Sequence, residues 1–234
     1  MTKILRKYLG LLAALPFLLV PTISGAFELP TFAAGIGLTG ASVHTKGTET
    51  DPEGTVQTKK IYDSSAVEYA SIFGEVRFNI VDRLGLTVGV STIPGSAQFV
   101  TESKPDSDLT TSSGGTNTGT STVTGKIKSY VSVYIQPTIR ITDVFSVYLS
   151  AGRSRMDVEA KAALVTSTDF TKTANSPGTH FGAGVMAQHD SGFFMKLEGT
   201  ASDYDSVTFT TADSTQAKAD IDGESVSLLI GKAF

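Results

Sequence analysis

From Phe27 onward, apolar and polar side chains alternate in runs that fit no helical period. One run sets Ala70, Ile72, Gly74, Val76, Phe78 and Ile80 against Tyr69, Ser71, Phe73, Glu75, Arg77 and Asn79. Another sets Val131, Val133, Ile135, Pro137, Ile139 and Ile141 against Tyr130, Ser132, Tyr134, Gln136, Thr138 and Arg140. A third sets Phe193, Met195, Leu197, Gly199 and Ala201 against Phe194, Lys196, Glu198, Thr200 and Ser202. Leu84, Leu86, Val88 and Val90 alternate with Gly85, Thr87, Gly89 and Ser91. Shorter signals are Phe32 to Leu38, Phe145 to Ala151 and Phe181 to Ala187. A side-chain period of two is that of a β-strand with one greasy face. The charges fall on the other face.

The punctuation between runs sets the topology. Three short turns, centred on Asp82, Asp143 and Asp190, carry the aspartate that tight turns favour. Longer stretches rich in Thr, Ser, Gly and Asp lie near 46–66, 101–126, 160–178 and 205–220. Four long connections alternating with three short ones give eight antiparallel strands, with both chain ends on the short-turn side. This layout predicts an all-β fold, an eight-stranded up-and-down transmembrane barrel with four long external loops and three short periplasmic turns. A soluble sandwich also alternates, but it has no reason to gather aromatics at one end. Here Phe32, Phe78, Phe145, Phe193 and Phe234 all fall on greasy faces at the short-turn ends, as a periplasmic girdle would. Arg153 and Arg155 mark where the fifth strand bulges or leaves the bilayer.

The last strand carries the strongest signal. Phe234, Lys232, Ile230, Leu228, Val226 and Glu224 share one face, greasy in the middle and charged at both ends. Tilted by about 45°, this span rises roughly 25 Å, the height of an outer-membrane apolar band. A strand that closes on phenylalanine resembles the C-terminal signature of bacterial outer-membrane β-barrels, which their assembly machinery reads. Lys232 stands where that signature usually has an aromatic; its ammonium can reach water at the membrane edge. The chain as a whole resembles the OmpA-like, OmpW-like and opacity-type barrel superfamily.

The other end supplies an address. Lys3, Arg6 and Lys7 precede an apolar run from Leu9 to Val20, and Ser24-Gly25-Ala26 offers small residues for cleavage. The reading is a signal peptide over residues 1–26, cut after Ala26, and a barrel over residues 27–234 placed in the outer membrane. Losing those three cations takes the formal charge of −4 to −7, and an acidic chain argues against nucleic acid as a partner. The chain has no cysteine, so disulfides and thiolate metal sites are excluded. The expected partners are outer-membrane lipid, the assembly machinery and an unidentified ligand of the external loops.

Inside an eight-stranded barrel, side chains fill the lumen. Glu75, Arg77, Lys196 and Glu198 fall at similar depth on inward faces, joined by Tyr134, Gln136, Arg140 and Tyr148. Buried charges must pair, so a Glu75/Arg77/Lys196/Glu198 network is expected to plug the lower lumen. It resembles the charged interior of OmpA-type barrels, where ion pairs block or gate a narrow pore. Inward glycines of the first, third and sixth strands are expected to leave room for large side chains across the lumen.

Little in the chain points to catalysis. His189 belongs to a short turn, and His180 should face inward near the outer rim. Ser42 and His44 share the outward face of the first strand, as in lipid A deacylase barrels, but in reversed order, without the following asparagine and with no acid placed to orient the imidazole. Asp203/Asp205 and Asp220/Asp222/Glu224 are alternating acids that do not complete a calcium loop. Gly35-Ile36-Gly37 is no nucleotide site, because no helix follows it. No catalytic residue, cofactor or metal site is expected. The reading is a non-enzymatic structural or surface-interaction barrel. The alternative is a narrow passive pore for small or apolar solutes, for which a lateral opening between strands would speak. A lipid-modifying enzyme ranks third.

Overall fold

The structure, a computed structural model, describes residues 29–50, 56–110, 116–163, 170–210 and 216–234. The expected signal peptide lies outside the described residues. Among these there is no helix and there are nine strands: β1 (Thr31–Thr50), β2 (Val56–Val81), β3 (Leu84–Thr92), β4 (Ala97–Thr110), β5 (Thr116–Arg140), β6 (Phe145–Ala163), β7 (Phe170–Gln188), β8 (Phe193–Thr210) and β9 (Gln216–Ala233). All pairings are antiparallel between sequence neighbours, apart from β3 with β5, and β1 pairs with β9 to close the ring. Closure removes the open edges that hydrocarbon does not tolerate.

Nine strands appear where eight were expected because the third is divided. β3 and β4 lie end to end along β5, with Thr92 opposite Val131 and Ala97 opposite Ile127. Between them, Pro94 has no N–H to donate, and Gly95 sits at φ 104°, a conformation that favours glycine. The ring therefore has eight positions around its circumference. The short turns fall at 82–83, 141–144 and 189–192. In the second, Thr142 Oγ1 accepts the Phe145 N–H at 2.9 Å. The stretches expected as loops are largely strand: β1 runs on to Thr50 and β5 starts at Thr116. Their many β-branched threonines suit a pleated ladder, and hairpin pairing carries the strands well beyond the apolar band.

Two alternations govern the wall. Up to the level of Ala151, the outward face is greasy: Phe32, Ile36 and Leu38 are 60–66% exposed, and Val147, Leu149, Met195, Leu197, Val226 and Ile230 also face out. The inward face there is polar or small apart from a buried apolar cluster of Phe73, Phe194, Ala33 and Ala233, against which Met186 and Leu229 pack. The inward rings are seated on glycines of neighbouring strands: Phe73 over Gly35, Phe194 over Gly231, Tyr134 over Gly89, Tyr148 over Gly184, Tyr204 over Gly178 and His180 over Gly152. A Cβ at any of these glycines would overlap the ring, so glycine is what lets large side chains lie flat across a narrow lumen.

Above that level the sides exchange character. Outward positions become Glu68, Arg153, Arg155, Asp203, Asp222 and Glu224, whereas Val67, Ala97, Ile127, Met156, Val158, Val207 and Ile221 form a buried apolar cluster inside. β-Bulges between Ile127 and Ser129 and between Tyr204 and Val207 shift the alternation by one, which aims Ile127 and Val207 inward. This collar has a hydrophobic interior like that of a soluble barrel. The expectation of a polar lumen throughout is corrected: the charged and polar network lies only where the outside is greasy, beside the Phe73/Phe194 cluster, and the collar lumen is apolar. Arg153 and Arg155 mark the exit from the band without any bulge, since β6 pairs with β7 in unbroken register and both arginines face outward.

Candidate functional site

The lumen is the candidate site, and its lower part is a closed charge network. β2 supplies Glu75 and Arg77, β5 supplies Tyr134 and Gln136, and β8 supplies Lys196 and Glu198. Each is an inward residue of an alternating run. Glu75 is the hub, with a fully buried side chain. It accepts from Arg77 Nη2 at 2.7 Å, Arg77 Nε at 3.0 Å and Tyr134 OH at 3.0 Å, and it pairs with Lys196. Lys196, with a 2% exposed side chain, also donates to Gln136 Oε1 at 2.8 Å. The Gln136 amide donates onward to Glu198 Oε2 at 3.0 Å, and Thr200 Oγ1 donates to the other Glu198 oxygen at 3.1 Å. Both cations also rest on aromatic rings: Arg77 lies 3.9 Å from the Phe194 centroid and Lys196 lies 5.2 Å from that of Tyr148.

Two carboxylates and two cations balance at this level, which is what a water-poor interior demands. Glu198 reaches Lys196 through Gln136 and not by direct contact. Of the residues expected in the cluster, Glu75, Arg77, Tyr134, Gln136, Lys196 and Glu198 come together. Arg140 stands apart, exposed at the mouth of the short-turn end, a space of about 260 Å³ that it lines with Arg77, Arg83 and Asp143. Gln188 is a member that sequence reasoning missed; its Oε1 accepts from Arg77 Nη1 at 3.0 Å. Its signal was its place as the last inward position of β7, directly below Met186.

Above the plug lies a polar cavity of about 90 Å³, walled by Ser132, Ser150, Thr200, Ser227, His180 and Glu198 among others, a size and lining that suit a few waters. His180 is buried here in mid-strand and not at the outer rim, with its Nδ1 unpartnered among the described residues. Tyr69, Tyr130 and Tyr204 divide this cavity from the apolar cluster of the collar, since they line the spaces on both sides. The second space, about 60 Å³, is bounded by Val67, Ile93, Ile127, Met156 and Ile221. Beside it the wall changes. β2 pairs with β3 only from Ile72 to Val81, and among the described residues it forms no ladder with β4. Above the Ile93–Ser96 break β2 and β4 therefore meet by side-chain packing, with Val67 and Ala97 in one buried cluster, and not by a backbone ladder.

The remaining candidates lie outside the lumen. Phe32, Phe145, Phe193 and Phe234 are exposed at the short-turn end, with Phe78 half-buried at the same end. Lys232 lies between two of them, 5.1 Å from the Phe193 centroid and 5.6 Å from that of Phe234. Phe193 thus offers from β8 the aromatic surface that the last strand itself lacks at Lys232. His44 faces outward directly across from Asp222, an acid that sequence reasoning did not place there. His189 pairs with Ser191 in its turn, 2.8 Å from Nδ1 to Oγ. Among the described residues no three acids or histidines assemble as a metal site.

The attachment invasion locus protein Ail of Yersinia pestis aligns over 86% of this chain and 98% of its own at 12% identity and a TM-score of 0.42. Neisserial surface protein A aligns over 86% and 99% at 11% identity, TM-score 0.41. The outer-membrane protease OmpT of Escherichia coli aligns over 92% and 100% at 12% identity, TM-score 0.41. No curated protein gives a significant sequence match. The profile of the outer membrane protein β-barrel domain matches residues 10–229, and the chain belongs to that family.

Proposed function

We propose that this outer-membrane barrel is a closed, non-enzymatic surface protein: a sealed anchor that holds a β-collar outside the cell. Residues 1–26 are removed after Ala26 on export, and the strand ending at Phe234 is read during assembly. The observation that carries this reading is double closure. The Glu75 network blocks the lower lumen and the Val67/Met156/Ile221 cluster fills the upper one, so an ion moving along the axis would meet both a charged plug and an apolar one. Reconstitution in planar bilayers tests it. The expected record is bare-membrane current, and stable single-channel steps would refute the reading.

A second reading has its own observation. The stretch where packing and no backbone ladder joins β2 to β4, beside an apolar space, suits lateral passage of a small apolar solute. Faster equilibration of such a solute into proteoliposomes than into protein-free liposomes, slowed by Met156→Trp, would favour it over the sealed anchor.

A further inference from the structure

The short-turn end carries charges that neither the plug nor the wall uses. The β2–β3 turn brings Asp82 and Arg83, and the β5–β6 turn is flanked by Arg140 and Asp143. The two turns are tied together, since the Arg140 N–H donates to the Arg83 carbonyl at 2.8 Å. All four residues line both the mouth of about 260 Å³ and a cleft of about 600 Å³ between the turns. All four are exposed, and among the described residues none of their side chains takes part in an ion pair or a hydrogen bond. Exposed opposite charges gain little from pairing with one another in water, so the four stay available to a ligand. At the inner end of the mouth stands Arg77, with a 12% exposed side chain. Glu75 accepts from its Nε and Nη2, and Gln188 from its Nη1. A guanidinium has five N–H groups, so two of them have no protein partner among the described residues. Asp190 and Lys232, at the same end of the barrel, line neither space.

We propose that mouth and cleft form a binding site for a short zwitterionic peptide, one with a free carboxylate and a free ammonium. Two arginines and two aspartates in one cleft are complementary to a ligand that carries both signs. The carboxylate meets Arg83 and Arg140, whose planar forks match its two oxygens, and the ammonium meets Asp82 and Asp143. Ile80, Val81 and Ile141 give the cleft an exposed apolar wall for a peptide side chain. A zwitterionic lipid headgroup carries the same charges, but its chains hold it outside the wall, whereas the four residues also line the mouth together with Arg77. The plug closes that mouth from above, so the ligand enters from the short-turn side. Its source in the periplasm rests on the orientation proposed above. The binding does not, so channel steps in a planar bilayer would end the sealed reading and leave this site standing.

The test uses the full-length barrel in phosphatidylcholine nanodiscs, which leave both ends open to solvent, with dialanine as the probe and titration calorimetry as the readout. Wild type is expected to bind dialanine at least about tenfold more tightly than N-acetyl-dialanine or dialanine amide, the scale of one charge-assisted hydrogen bond. R83Q/R140Q is expected to lose the preference over the amide, and D82N/D143N the preference over the acetylated form. R153Q/R155Q, in the collar, is expected to bind as wild type does. Heat-modifiable gel mobility establishes that each variant is folded; if a double variant fails that check, the capped peptides on wild type decide alone. No saturable binding of dialanine, equal binding of the capped forms, or unchanged preferences in both double variants would overturn the proposal. So would loss of binding when phosphatidylethanolamine replaces phosphatidylcholine, by assigning the cleft to a lipid headgroup.

Discussion

The membrane-spanning wall and the collar above it are made of the same strands, yet they are built inside out relative to one another. Below Ala151 most apolar side chains face outward and the interior holds a hydrogen-bonded charge network beside the buried rings of Phe73 and Phe194. Above Arg153 the charges face outward and the interior is Val, Ile and Met. The contrast teaches that the surrounding medium, and not the fold, decides what an interior is made of. Against hydrocarbon, burying a leucine gains nothing, so the lower interior is free to be polar provided that every group finds a partner. Against water, the collar gains from burying apolar surface in the ordinary way. On β6, β8 and β9 the two regimes meet within two residues, at Ala151/Arg153, Ala201/Asp203 and Val226/Glu224, whereas on β5 the exposed Val133 and Val131 continue to the levels of Arg153 and Arg155.

The comparison breaks most sharply at the hub of the lower interior. Glu75→Gln leaves Lys196 and Arg77 buried without their carboxylate, and it is expected to cost about 3–5 kcal/mol. Urea unfolding in detergent, followed by gel mobility, measures this. Adding Lys196→Met should recover part of the loss, because a neutral pair suits the site better than half of an ion pair. Next comes the outer surface. Leu197→Arg, in the greasy band, is expected to cost about 2–4 kcal/mol in a bilayer, whereas Thr179→Arg, one level into the collar, should cost about 0–1 kcal/mol. In the collar interior, Ile221→Ala should cost about 2–4 kcal/mol through the cavity it leaves. The lipid-facing Ile230→Ala should cost less, since lipid fills the gap. In the lower lumen, Gly89→Ala is expected to push the Tyr134 ring aside for about 1–3 kcal/mol of strain. Thermal shift of the gel transition reports all three alanine effects.

Much of the lower wall was legible in the sequence, and the reason is physical. Hydrocarbon admits almost no charge on its side, so the parity of Arg77, Lys196 and Glu198 alone assigned inside and outside across whole strands. The glycines opposite inward rings were legible for the same reason, since a narrow lumen must trade volume between neighbours. The collar was not legible. Its apolar positions are scattered among Thr, Ser and Gly, and two bulges change the parity of β5 and β8 midway. A bulge is a property of the register between strands and leaves no mark in one strand's sequence. Asp222 facing His44 was hidden likewise, because only ring closure between β1 and β9 brings them together. The break at Pro94-Gly95 did carry a local signal, in a residue without a donor beside one that accepts positive φ. Gln136 as the link between Lys196 and Glu198 depended on three strands arriving at one depth.

The exchange of inside and outside along β6 is the central claim, and a single cysteine scan over residues 147–158 tests it directly, because the chain has no cysteine of its own. Each variant is reconstituted in bilayers and assayed with a membrane-impermeant maleimide added outside. A fluorophore attached during unfolding is then assayed for quenching by a nitroxide in the acyl region. The expected pattern is lipid quenching at Val147, Leu149 and Ala151, rapid maleimide reaction at Arg153 and Arg155, and neither at Tyr148, Met156 or Val158. Rapid reaction at Met156 and Val158, or lipid quenching at Arg155, would contradict it.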